Sequence, residues 1–212
     1  MSLRAVVFDY GMVLTGIPNA AAHDAMIRIT GLAADEFEKF YWADRHAYDE
    51  GKVNGPTFWQ NFARDAGLSL SQADIDELNR QDARMWTTQD PAMIAWQRTL
   101  KQHGIRTAIL SNMGDTVLEN IKREFGWIDD FDVLVWSFQL RLAKPDPAIY
   151  RHTLRELGTQ PEETLFIDDK LVNVEAARAL GIKALEFTNV GRLREDLIAN
   201  GYDAHFPLPD PA

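Results

Sequence analysis

Four places in this 212-residue chain set a reactive or phosphate-binding side chain at or after the end of a short apolar run. Residues 4–8, RAVVF, lead into Asp9, and residues 105–110, IRTAIL, into Ser111-Asn112. Residues 131–136, FDVLVW, precede a loop that carries Lys144, and residues 164–167, TLFI, end in Asp168-Asp169. Taken singly, each has a plain structural explanation. A carboxylate or hydroxyl after a strand commonly caps the next turn or helix, and a lysine beside prolines is ordinarily solvated. Together they supply three carboxylates, a hydroxyl and a cation. Carboxylates that meet in one pocket repel each other and shift their pKa values unless a cation joins them. Oxygen donors without His or Cys select Mg²⁺ over zinc. A phosphate anion nearing Asp9 meets about 4 kcal/mol of repulsion per charge pair at about 4 Å, with an effective dielectric near 20. A metal and Lys144 offset that repulsion, and the Ser111 hydroxyl with nearby backbone N–H groups holds the remaining oxygens. The chemistry this set allows is attack of the Asp9 carboxylate on phosphorus, giving an aspartyl-phosphate that water cleaves.

The elements that would position these groups follow from hydrophobic period and punctuation. After Asp9, Gly11 and Gly16 bracket a turn-like stretch. Residues 18–86 have helical spacing throughout, in the pieces NAAAHDAMIRIT, AADEFEKFYWADRHAYDEG, GPTFWQNFARDAG and SQADIDELNRQDARMW. Pro56 just past Gly55 is a helix-start signal, and Gly67 closes that piece. From Asp90 the chain alternates helix and strand: a helix from Pro91 to His103, then the strands IRTAIL, FDVLVW, TLFI and IKALEF with helices between and a last helix near 190–199. Repeated strand–helix units imply a parallel sheet covered on both faces, with the ligand beyond the carboxyl ends of the strands. The expected architecture is α/β: a Rossmann-like three-layer core over residues 1–16 and 87–212, with a small all-helical cap at 17–86 inserted after the first strand. The tail PLPDPA reads as extended or disordered.

Composition limits the alternatives. With 22 Lys plus Arg against 32 Asp plus Glu the formal net charge is −10, which argues against nucleic-acid or anionic-membrane partners. There are no cysteines, so disulfides and thiolate chemistry are excluded. No apolar stretch is long enough for a signal peptide or a membrane span, and a cytoplasmic location is the default. Neither a P-loop nor a Gly-x-Gly-x-x-Gly pattern is present. The partner expected is a small phosphorylated metabolite, for a chain acting as monomer or homodimer.

The four segments, VVFDYGMVLTG, AILSN, LAKPDPAIY and TLFIDDKLVNVEAARALGI, resemble in order and spacing the motifs of the haloacid dehalogenase superfamily, over essentially the whole chain. The helical insertion is similar to the cap of the subfamily rich in sugar-phosphate phosphatases. The resemblance implies Asp9 as nucleophile and metal ligand, the Gly11 carbonyl and Asp169 as direct ligands of Mg²⁺, and Asp168 in or just behind that shell. It implies Ser111 and Asn112 as phosphoryl-binding groups, Lys144 as charge balance, and Asn173 as support for the fourth-motif loop.

One departure matters. Most phosphatases of the superfamily carry a second Asp two residues after the nucleophile as general acid/base, and here that residue is Gly11, in an Asp-x-Gly-x-Val pattern. A general acid is typically worth about 10²–10⁴-fold. An Asp-x-Gly-x-Val branch of the superfamily also looks phosphatase-like, and this chain resembles that branch best; an acid supplied by the cap, from Asp44, His46 or Asp49, is a second answer; a phosphate-binding or regulatory protein without turnover is a third. Without an acid, leaving groups that need little protonation are favoured, such as a sugar C1 phosphate or an acyl phosphate. A phosphomutase and a 2-haloacid dehalogenase rank low, the latter because dehalogenases use no metal and the Asp168-Asp169 pair suits a metal site. The aromatic-rich cap stretch of Phe40, Tyr41, Trp42 and Tyr48, with Phe58, Trp59 and Phe62, reads first as self-packing of the cap and second as a lid. His23, His103, His152 and His205 show no ligand spacing and read as surface residues.

Overall fold

A computed structural model describes residues 2–210 of the chain. Five strands, β1 (Ala5–Phe8), β2 (Arg106–Ser111), β3 (Val133–Trp136), β4 (Thr164–Asp168) and β5 (Lys183–Glu186), form one parallel sheet in the order β3-β2-β1-β4-β5. Period-2 alternation sends Val6 and Phe8 to one face and Ala5 and Val7 to the other, and both faces are buried. The first face packs on α6 (Pro91–Gln102), α7 (Asp115–Glu124) and α11 (Val190–Ala199) through residues such as Trp96, Leu100, Ile121 and Leu193. The second packs on α9 (Pro147–Leu157) and α10 (Leu171–Ala179) through Ile149, Tyr150, Leu154 and Val174.

Between β1 and α6 lie α1 (Ala20–Thr30), α2 (Ala34–Ala43), α3 (Arg45–Asp49), α4 (Gly55–Asp65) and α5 (Gln72–Met85), and a short helix α8 (Ser137–Leu140) follows β3. The caps are the ones the sequence signals. Asn19 accepts the Ala21 and Ala22 amides, Asn54 the Thr57 amide ahead of Pro56, and Ser71 and Asp74 form a reciprocal box. The stretch expected as one piece over 33–51 is broken at Asp44 into α2 and α3. The two passages between the sheet and this helical region run side by side: Thr15 bridges Gln89, and the Gly16 and Asp90 amides donate to Thr88 and Leu14 carbonyls.

Close backbone approach fastens α3 to the sheet side. A Cβ at Gly114 would lie 2.0 Å from the Tyr48 ring, and one at Gly51 would lie 2.4 Å from the Phe138 carbonyl at a φ of +71°. Only glycine permits both contacts. The Ser137 hydroxyl donates to the Asp49 carbonyl, and the Tyr48 and Thr116 hydroxyls meet at 2.7 Å. The tail 207–210 has no regular secondary structure yet is held, because Trp96 Nε1 and Arg194 donate to the Pro207 and Pro209 carbonyls; Pro211 and Ala212 lie outside the described residues. Among the described residues, no helix is long and apolar enough to cross a membrane.

Candidate active site

Strand order and register gather the reactive groups. Phe8 pairs with Ile167 on one side and Ile109 on the other, so Asp9 and Asp168 emerge next to each other and Ser111 ends the neighbouring strand. The chain reverses its direction of winding at β1, where open α/β sheets place their ligand crevice. A cavity of about 270 Å³ opens there, and Asp9, Gly11, Ser111, Asn112, Lys144, Asp169 and Asn173 all line it.

Asp9, Asp168 and Asp169 can bring one carboxylate oxygen each within 4.8 Å of one another. Lys144, buried, places Nζ 2.9 Å from Asp9 Oδ1 and 2.6 Å from Asp168 Oδ2. Asp9 Oδ1 also accepts the Tyr10 amide at 2.7 Å, which leaves Oδ2 without a hydrogen-bond donor among the described residues, on a residue that lines the cavity. Asp168 is saturated: besides Lys144 it accepts the Lys170 amide and Asn173 Nδ2 through Oδ1. Asn173 is held in turn by the Tyr150 hydroxyl, which donates to its carbonyl. The Ser111 hydroxyl makes no hydrogen bond among the described residues and lines the cavity, open to an oxygen ligand.

The electrostatics show one cation too few. Burial, with Asp168 and Asp169 adding and Lys144 opposing, pushes the Asp9 carboxyl up to about 7. Burial and the neighbouring Asp168 raise Asp169. Against its own burial, Asp168 is held below the usual carboxylate range by Lys144, Asn173 and the Lys170 amide. Burial alone would lower Lys144, but the two aspartates hold it above its ordinary value. Three carboxylates facing one ammonium fit a hard divalent cation: the donors are all oxygen, and the Asp169 side chain accepts no hydrogen bond from another residue among the described residues.

Asn112 is placed differently from a simple phosphoryl ligand. Its Oδ1 accepts the Lys144 amide at 2.8 Å and its Nδ2 donates to the Lys144 carbonyl at 2.9 Å. The side chain clamps the backbone that carries the lysine. Gly11 has φ −67°, so no left-handed backbone demands glycine; instead a Cβ there would lie 3.5 Å from the Trp86 ring. The indole occupies the side on which a longer side chain would extend.

Several cavity residues were not legible in the sequence: Arg45, Trp86, Met12, Met113, Val117 and Lys170 join the wall. Of the residues the sequence offered from the helical region, Trp42, His46 and Asp49 line it and Asp44 does not. Of the aromatic stretch, Tyr41, Tyr48, Phe58, Trp59 and Phe62 are buried and pack on one another, Phe40 packs on Phe62 from a half-buried position, and Trp42 alone among these aromatics lines the cavity. His23 is half-buried and paired with Glu38, not a free surface residue; the pairing depends on α1 meeting α2, which no local pattern shows.

A parallel α/β sheet with carboxylates, a lysine and a hydroxyl gathered at its carboxyl edge defines a class, the carboxylate-based hydrolases of Rossmann-like fold. A family model for haloacid dehalogenase-like hydrolases matches residues 3–181, and the chain belongs to that family. The chain is 29% identical over 204 residues to the phosphatase MT3486 of Mycobacterium tuberculosis, with 93% of each chain covered. It is 34% identical over 191 residues to the sesquiterpene phosphatase astK of Aspergillus oryzae, covering 89% of this chain and 91% of the relative. In fold it is similar to a haloacid dehalogenase family enzyme of Bacteroides thetaiotaomicron solved with magnesium and inorganic phosphate, with a TM-score of 0.75, 20% identity, and 88% and 94% of the two chains covered.

Proposed function

We propose that the protein is a Mg²⁺-dependent phosphatase that hydrolyses a small phosphate monoester, a sugar phosphate in the first instance, through an aspartyl-phosphate on Asp9. The observation that carries this is the trio of Asp9, Asp168 and Asp169 around one buried Lys144, with Asp9 Oδ2 open to the cavity. Asp9, Asp169 and the Gly11 carbonyl would hold the Mg²⁺, with Asp168 behind them. The ion supplies neutralisation of the entering phosphate and of the carboxylates. Lys144 balances charge on the transferring group, and Ser111 donates to one of its oxygens. Asp9 Oδ2 attacks phosphorus and the ester oxygen leaves. Asn112 keeps Lys144 in place. Residues 17–86 act as the cap, contributing Trp42, Arg45, His46 and Asp49 to the wall around the leaving group. The polar groups among them suit a hydroxylated leaving group.

A second reading of the substrate has its own observation. A groove of about 290 Å³, walled by Ile17, Pro18, Tyr41 and Met85, shares Trp42 and Trp86 with the reaction cavity. Its Ile17 is 77% exposed and Trp42 51%. That groove favours an alcohol bearing an apolar chain, and the name of the Aspergillus relative, a sesquiterpene phosphatase, is of that kind.

The test is release of inorganic phosphate from a panel of monoesters with and without Mg²⁺, beside Asp9→Asn. Metal-dependent turnover that Asp9→Asn abolishes supports the reading. Phosphate binding with no turnover of any ester would place the chain among non-hydrolytic binders instead.

A further inference from the structure

The missing proton donor at Gly11 leaves a gap that the cap side of the same cavity fills. Two carboxylates, Asp49 on α3 and Asp82 on α5, share the single guanidinium of Arg45. Asp82 takes the larger part: Arg45 Nη1 lies 2.9 Å from both of its oxygens, the Tyr41 hydroxyl donates to it at 2.8 Å, and its side chain is 1% exposed. Asp49 keeps one bond, from Arg45 Nε at 3.0 Å, and 16% of its side chain is accessible. Asp49 lines the reaction cavity and Asp82 does not. The backbone of Asp49 is held as well, since Ser137 at the start of α8 donates to its carbonyl.

We propose that Asp49 is the general acid/base of the reaction, taking over from the cap the role that Gly11 cannot perform. This rests on the phosphatase reading above. As Asp9 Oδ2 bonds to phosphorus and the ester P–O bond breaks, the proton of the Asp49 carboxyl passes to the leaving oxygen, giving a neutral alcohol. The Asp49 carboxylate then removes a proton from the water that attacks the aspartyl-phosphate. Phosphate and free Asp9 are released, and Asp49 is again protonated for the next cycle.

The surroundings suit both halves. Burial raises Asp49 to about 6, with Asp82 adding and Arg45 and Lys170 opposing. A value near neutrality lets one carboxyl both give and take a proton. The charged and titratable groups around it are Arg45 on its own helix, Asp82 on α5, and Lys170 ahead of α10; Tyr41 on α2 completes the Arg45–Asp82 network. His46, the other cap candidate on the cavity wall, is two-thirds exposed and pairs with Glu50.

The experiment compares the parent protein, Asp49→Asn, Asp49→Glu and His46→Gln with Mg²⁺ on p-nitrophenyl phosphate and on a simple alkyl phosphate. Asn keeps an acceptor for Arg45 and removes the proton. For Asp49→Asn the expected result is a loss of roughly 10²–10⁴-fold in kcat on the alkyl ester. On p-nitrophenyl phosphate, whose leaving group departs unprotonated, a burst of p-nitrophenolate should appear, followed by slow turnover. Phosphoenzyme trapped by acid quench should accumulate in that variant and be scarce in the parent. Asp49→Glu should regain part of the alkyl-ester rate. Equal losses on both esters with no trapped phosphoenzyme would overturn the proposal, as would no loss on either, or the same signature in His46→Gln alone. Should Asp49→Asn fail to fold, Asp49→Glu decides: a loss of kcat confined to the alkyl ester supports Asp49, and rates equal to the parent's on both esters overturn the proposal. If the parent neither turns over any ester nor forms phosphoenzyme, the phosphatase reading fails, which is a different outcome from the Asp49 role failing.

Discussion

Replacing Lys144 by Met keeps most of the side-chain volume and removes the one charge that holds two buried aspartates. Nζ sits 2.9 Å from Asp9 and 2.6 Å from Asp168, and the residue is 3% exposed. At an effective dielectric near 20, each contact is worth on the order of 6 kcal/mol of attraction. Burying the ammonium and ordering its stem cancel much of that. The net cost of taking one partner out of a buried pair is about 3–5 kcal/mol, because the uncompensated charges remain. For a chain of this size, that lowers the melting midpoint by roughly 6–20 °C. The deficit has a definite pH sign. Without Lys144 the already raised Asp9 carboxyl rises further and Asp168 loses the ammonium that holds it down, so the native state binds more protons than the unfolded chain and is stabilised as pH falls. Thermal melts of metal-free Lys144→Met should therefore show the largest deficit at pH 8 and a smaller one at pH 5, and Mg²⁺ should restore part of it at pH 8. A midpoint within about 2 °C of the parent at pH 8, or a deficit that widens on acidification, would refute the reasoning.

Asn112→Ala frees both backbone groups of Lys144 that it now engages, which should cost about 1–3 kcal/mol in urea unfolding and lower kcat with little change in KM. Mg²⁺ at about 100 times its Kd should stabilise the parent by about 2.7 kcal/mol, seen as an upward melting shift of roughly 5–10 °C, and Asp169→Asn should remove most of it. The raised Asp49 contributes stability that is complete below about pH 4 and is lost as pH rises through its value of about 6, so Asp49→Asn should flatten the fall in urea midpoint between pH 4 and 6. If the groove shared through Trp42 and Trp86 takes an apolar chain, kcat/KM on linear alkyl phosphates should rise with chain length, and Ile17→Asp should flatten that rise.

The order of elements and the four strand-end groups were readable in one dimension because their causes are local. Five apolar runs of strand length, Pro at helix starts, and Asn, Ser and Asp caps fix where strands and helices begin. A parallel sheet then carries Asp9, Ser111 and Asp168 to one edge, whatever lies between them. The split of residues 33–51 at Asp44 was not readable, since no glycine or proline marks it, and Tyr48 of α3 meets Gly114 from a distant segment.

By itself, then, the sequence determined the α/β class, the family, and which carboxylates and lysine gather at the candidate site, since residue type and spacing along strands suffice for these. Only the tertiary structure decided the division of labour among them. It turned Asn112 toward the Lys144 backbone, set the Trp86 ring beside Gly11, and left Asp49 with the smaller share of Arg45 on the cavity wall. Each depends on which side chains distant segments present to one another, and a hydrogen bond or a desolvated charge is settled by those neighbours and not by the residue's place in the chain.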